Sequence, residues 1–154
     1  MGKLDKKIHR EIEKTFDISQ YKLEPLDIPI KLNSELPLSM QKGFRKIISS
    51  EDLFGYVFVG SAPSKTAKFD YLVLFDTKIQ VVHTKVLIYR EEYGGEIGSK
   101  RWLRQFHGMD GTNRVLANTN IDAISGATIS VRSMTRAMDN LFQSVGMLKK
   151  NGIL

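Results

Sequence analysis

The chain has 154 residues, room for one domain that buries about two thirds of its unfolded surface and not for a second full one. Hydrophobic residues make up 42% and charged residues 26%, with 12 Gly and 4 Pro, which excludes the disordered and low-complexity classes. A net charge of +6 draws anions without naming them, and the lack of cysteine removes disulfides, thiolate nucleophiles, cysteine zinc sites and protein-ligated iron–sulfur clusters, so redox chemistry would need a borrowed cofactor.

The opening Met1-Gly2-Lys3-Leu4-Asp5 carries charge and no apolar core, unlike a secretory signal; a Met-Gly start is also what remains where a leader or anchor has been replaced. Leu4, Ile8, Ile12 and Phe16 recur every four residues among charges, which predicts an amphipathic helix within 1–20 whose apolar face packs on a sheet. From Tyr21 to Pro37, Pro25, Pro29 and Pro37 with alternating Ile28, Ile30 and Leu32 read as an extended, strand-like edge arm and not as a helix.

Four β-rich runs follow, Gly43–Ser49, Leu53–Val59, Asp70–Phe75 and Ile79–Tyr89, the last two joined as an antiparallel hairpin by the short Asp76-Thr77-Lys78. No helical crossover separates them, so the class is α+β with a mainly antiparallel twisted sheet. The longest apolar run, Tyr71–Phe75, is far short of the roughly 18 residues that would span a bilayer. Gly60-Ser-Ala-Pro-Ser-Lys65-Thr66 lacks the glycine before its lysine and precedes a strand, so it is rejected as a nucleotide loop.

Glycines at 94, 95 and 98 break the pattern, and Ser99 can cap a short middle helix carrying Trp102, Leu103 and Phe106 that ends by Gly108. Two aromatics on one helical face are more often core than the wall of a cofactor. Phe106 is read as core, and Trp102 is left between the two. Lys100, Arg101 and Arg104 read by default as a solvated face. His9, His83 and His107 are far apart, form no metal-ligand or triad spacing, and read as structural with no metal site. Val131, Met134, Met138, Leu141, Phe142 and Val145 predict a long C-terminal amphipathic helix with Ser130 near its start.

The residues before that helix are Asp122-Ala-Ile-Ser125-Gly126-Ala127-Thr128-Ile129-Ser130. Small residues and a glycine permit a sharp turn, and the helix would offer free N–H groups and a positive dipole end to a phosphate. On local chemistry alone the commoner outcome is that Ser125, Thr128 or Ser130 simply caps the helix. Asp122 would by the same chemistry be a turn-forming residue.

Asp122-x-x-Ser125-Gly126-Ala127-Thr128 also resembles, at every fixed position, the flavinylation motif Asp-x-x-(Ser/Thr)-Gly-Ala-Thr of the FMN-binding domain family. That family includes the C subunit of the sodium-pumping NADH:quinone oxidoreductase and the G subunit of the related ferredoxin:NAD oxidoreductase. Upstream, Gly94-Gly95-Glu96-Ile97, Trp102 and Gln105-Phe106-x-Gly108 are similar to a second segment of the family, so that the resemblance covers roughly Tyr89 to Val145. Glu91-Glu92-Tyr93 departs from the Glu-Thr-Pro-Gly-Leu-Gly of many members.

The resemblance implies that 21–154 is an FMN-binding domain, with FMN esterified by a separate flavin transferase to Thr128. It implies that Ser125, Gly126, Ala127 and Ile129 shape the acceptor loop, and that Asp122 orders that loop or is read by the transferase. Gly94, Gly95 and Trp102 are carried over as further cofactor-binding positions. No residue reads as a catalytic acid or base, so the expectation is an electron carrier among membrane redox partners, extracytoplasmic or membrane-associated, its leader or anchor missing from the chain. Two other readings stand beside it: a non-covalent FMN or phosphate-ligand binder, and a basic nucleic-acid module using Lys100, Arg101, Trp102 and Arg104. Nucleic acid is not the expected partner.

Overall fold

The computed structural model describes residues 2–154. In chain order it contains α1 (Lys3–Phe16), β1 (Lys22–Pro25), α2 (Ile30–Glu35), β2 (Phe44–Ser49), β3 (Asp52–Pro63), β4 (Lys68–Phe75), β5 (Val81–Ile88), α3 (Lys100–Leu103) and α4 (Thr128–Lys150). Two 3-10 turns, Gly95–Gly98 and Arg104–Phe106, flank α3. The strands form one antiparallel five-stranded sheet in the order β1-β2-β3-β4-β5, the α+β architecture expected from the sequence.

Helices cover both faces of this sheet. Ile8 and Ile12 of α1 pack on Ile47, Val57, Leu72, Leu74 and Leu87. On the opposite face Met134, Met138, Leu141, Phe142 and Val145 of α4 meet Phe44, Phe58, Tyr71, Val73 and Phe75. The run Tyr71-Leu72-Val73-Leu74-Phe75 is continuous because its alternate residues enter two different cores, and all five are fully buried.

The arm from Tyr21 to Pro37 is only partly extended. Lys22–Pro25 pairs with β2 at the sheet edge, but Ile30–Glu35 is a helix. Pro29 precedes it with its ring-fixed φ of −53°, and its carbonyl accepts the Asn33 N–H at 2.9 Å. The residues turned inward are Ile28, Leu32 and Leu36, spaced by four, while Ile30 faces solvent. The strand expected to stop at Val59 instead runs to Pro63, since Gly60, Ser61, Ala62 and Pro63 pair with Tyr71, Asp70, Phe69 and Lys68. The rejected loop is therefore mostly strand, with a turn at 64–67. The hairpin after β4 spans Asp76–Gln80, where the Asp76 carboxylate accepts from the Lys78 and Gln80 amides and Ile79 turns into the core with φ 62°. β5 accordingly begins at Val81.

The segment 107–121 runs along α4 towards Asp122, and Asp139 fastens it there. That carboxylate accepts from Arg114 Nε at 2.9 Å, Arg114 Nη2 at 3.0 Å, the Val115 amide at 3.0 Å and Gln143 Nε2 at 3.1 Å. The Arg114 bond, ahead of the other contacts, holds the Asp139 carboxyl below its ordinary range. A depressed folded value means stability that is present above the unfolded aspartate value of about 3.9 and is lost as pH falls through the folded one. Urea midpoints of Asp139→Asn should thus lie below wild type near neutrality, and the gap should close under acid; a gap constant with pH would contradict this role.

Candidate flavin-binding site

Three chain segments meet at the N-terminus of α4. The first is the β3–β4 turn, presenting Lys65 and Thr66; the second is the stretch after β5, Tyr89 to Gly94; the third is Gly126 to Ser130. They line a cleft of about 680 Å³, within the usual size of a small-molecule site. A second cleft of about 800 Å³ lies on the other side of the same loop, lined by Gly95, Glu96, Gly98, Ser99, Arg101, Trp102, Gln105 and Asp122 to Ser125. The expected site residues therefore divide: Gly94, Gly126, Ala127, Thr128 and Ile129 face the first cleft, and Gly95, Trp102, Asp122 and Ser125 the second.

The capping expected of Ser125, Thr128 or Ser130 does not occur. The N-cap residue is Ala127, no side chain bonds to the helix start, and the first helical bond runs from the Val131 amide to the Ala127 carbonyl at 2.9 Å. The amides of Thr128, Ile129 and Ser130 thus have no partner within the helix, and the α4 dipole adds its positive end. Ser130 fails as a cap because its buried hydroxyl faces elsewhere, lying 3.3 Å from the Tyr89 phenol oxygen. The same phenol donates to the Tyr93 carbonyl at 2.7 Å, tying the turn after β5 to the first turn of α4.

Two glycines are required by backbone geometry. Gly94 has φ 84°, and a Cβ there would lie 2.5 Å from the Tyr89 phenol oxygen. Gly126 has φ 83° with nothing within 4 Å of a Cβ position. Its need is for the left-handed conformation and not for space.

Trp102 is both core and loop anchor. It is 5% exposed, packs edge-on against the fully buried Phe106 with centroids 5.4 Å apart, and donates from Nε1 to the Asp122 carbonyl at 2.7 Å. Gln105 accepts the Asp122 amide at 2.9 Å and donates to the Trp102 carbonyl at 3.0 Å. The two backbone groups of Asp122 are held from α3 and from the 3-10 turn that follows it; the Ser99 side chain caps α3 at the Trp102 amide, 3.4 Å away. The Asp122 side chain itself is exposed.

Sequence reasoning missed Lys65, Thr66, Tyr89, Arg90 and Glu91 as lining residues. Glu91 accepts from the Thr66 amide at 3.1 Å and the Thr66 hydroxyl at 2.7 Å, joining two walls of the first cleft. The Ser64 and Thr66 hydroxyls hold its carboxyl below the ordinary value. Arg90 is committed to Asp70 at 2.6 Å and the Lys68 carbonyl at 2.9 Å. Lys65 has no ion-pair partner among the described residues.

The residues fit a flavin mononucleotide. Unpartnered amides at a long helix start and the free Lys65 suit a phosphate. Tyr93, 84% exposed, and Ile129, 48% exposed, supply apolar surface at the same cleft without burial in the chain itself.

Comparisons with known proteins agree. No curated protein matches the chain. The crystal structure of NqrC from Shewanella oneidensis is similar with a TM-score of 0.62 at 15% identity, covering 96% of this chain and 98% of that one, which shows a common fold. The FMN-binding domain profile matches residues 66–143, half of the chain, including the lining of both clefts except Lys65. The chain belongs to the FMN-binding domain family, and its cofactor is FMN.

Proposed function

We propose that Thr128 carries FMN as a phosphoester and that the domain relays electrons between partners of a membrane-associated redox system. The observation that carries the reading is an exposed threonine at the first position of an uncapped 23-residue helix, inside the 680 Å³ cleft, at the last position of the flavinylation motif. In the attachment, a P–O bond forms to Thr128 Oγ as the pyrophosphate bond of a flavin–nucleotide donor breaks; the nucleoside monophosphate leaves with the hydroxyl proton, so the protein gains FMN less one water. A flavin transferase supplies that step.

When bound, FMN supplies the redox chemistry and the protein orients it. The amides of Thr128 to Ser130 would receive the phosphoester charge, which the helix dipole and Lys65 would also favour. Gly126 supplies the left-handed turn that presents the hydroxyl, and Ala127 keeps the approach small. Trp102 and Gln105 act as positioning residues through Asp122. Ser125 and the Asp122 carboxylate stand exposed where a transferase can read them. Tyr93 and Ile129 would cover the ring's apolar surface, and Gly94 would let backbone approach it, while Gly95 lines the second cleft.

No helix of the described residues is long and apolar enough to cross a membrane. A carrier reading also implies that the flavinylated domain exchanges electrons with small mediators but not with NADH alone, because the sequence has no dinucleotide fingerprint. Stopped-flow mixing with NADH, followed at the flavin absorbance, should give no rapid phase. Fast, saturable reduction would contradict the carrier role.

A further inference from the structure

Away from the flavin cleft, α1, β5 and α3 enclose a separate hollow of about 280 Å³. Four permanent cations reach it from different elements: Lys14 on α1, Lys85 on β5, Lys100 on α3, and Arg104 on the 3-10 turn that follows. His83 and His107 complete the ring of charge-bearing groups. The one carboxylate in the lining is Glu11, and it is already engaged, with Oε1 2.8 Å from His83 Nε2. Among the described residues none of the four cations makes an ion pair or a hydrogen bond from its charged group. Thr84, also in the lining and 4% exposed, has a hydroxyl without a partner.

Cations gathered around one concavity repel one another unless an anion joins them. The guanidinium of Arg104 offers a fork suited to oxyanions, and the three ammonium groups act as point charges. At about 30 Å³ per water the volume equals roughly nine waters, enough for a small oxyanion with part of its hydration. We propose that this hollow binds a small oxyanion of the phosphate class, held by Lys14, Lys85, Lys100 and Arg104.

His107 agrees with a positive local potential: burial first, then His83 and Arg104, hold its imidazole below the ordinary value. A bound oxyanion offsets the last two influences and raises the His107 midpoint. Gly98 lines both this hollow and the second cleft, so occupancy borders the segment that carries Trp102 and Gln105. The inference stands independently of FMN attachment.

The test is a titration of the isotope-labelled whole chain with inorganic phosphate at constant ionic strength, following the ring resonances of His83 and His107. The expected result is saturable shifts with a raised His107 midpoint, reproduced by sulfate and not by chloride. Lys100→Gln and Arg104→Gln should each weaken binding roughly tenfold, while Thr128→Ala and the distant Lys22→Gln leave it unchanged. Shifts that never saturate, that chloride reproduces, or that persist at full affinity in both Lys100→Gln and Arg104→Gln would overturn it. So would phosphate responses confined to the amides at the start of α4.

Discussion

In protein coexpressed with a flavin transferase, Thr128→Ala is expected to remove the covalent flavin completely: no added mass, and no fluorescence after denaturation. The substitution deletes the hydroxyl that would bear the phosphoester and little else. The Thr128 side chain makes no cap bond, so none is lost, and alanine is a better helix former at that position. Stability should move by no more than about 0.5 kcal/mol, so urea denaturation of unlabelled protein separates loss of acceptor from loss of fold. Label persisting in a folded Thr128→Ala protein would place the ester elsewhere.

A second large effect is expected at Gly126. Its φ of 83° is one that a β-branched side chain adopts only under strain, on the order of 1–2 kcal/mol, although no atom lies within 4 Å of a Cβ. Gly126→Val should therefore relax the loop backbone, withdraw Thr128 from its presented position and lower the initial rate of flavin attachment by at least about tenfold, 1.4 kcal/mol being one decade. Far-UV circular dichroism should stay near wild type, because the residue packs against nothing. Gly126→Asn, which tolerates the left-handed region better, should retain more labelling than valine. Equal rates for wild type and a folded Gly126→Val protein would show that the conformation is not what presents the acceptor.

Where periodicity and environment agree, the fold is legible from the residues. Leu4, Ile8, Ile12 and Phe16 mark α1 because one helical face meets one core, and Met134, Met138, Leu141 and Val145 mark α4 for the same reason. The arm around Ile30 is ambiguous because Ile28, Ile30 and Leu32 fit a period of two while Ile28, Leu32 and Leu36 fit a spacing of four. Burial of Leu36, which is not visible locally, decides for the helix, and Pro29, which fits an extended arm as well, becomes the residue that starts it. The extension of β3 through Pro63 depends on pairing with Lys68 to Tyr71 across the hairpin, at an end where the pattern of Gly60-Ser-Ala-Pro looks like loop.

The site divides along the same line. Asp122 to Thr128 is contiguous, so its chemistry can be read in the chain. Lys65, Thr66, Tyr89, Arg90 and Glu91 join it only through the sheet, which carries the 64–67 turn and the end of β5 to the same side as the α4 N-terminus. The Glu91–Thr66 bonds and the approach of the Tyr89 phenol to Ser130 are long-range contacts without a local signal. Trp102 reads as either core or flavin wall from its spacing; its indole N–H on the Asp122 carbonyl gives it a third part, as anchor of the acceptor loop.

The most direct test of the account is to digest wild-type protein, made with and without a flavin transferase, and to map the mass of the peptide containing Thr128. With the transferase, that peptide should carry FMN less one water, fragment ions should assign the addition to Thr128, and the peptide from protein made without it should be unmodified. An unmodified peptide in both preparations, flavin released intact on denaturation, or the addition assigned to Ser125 or Ser130 would contradict the assignment of Thr128 as the flavin-bearing residue.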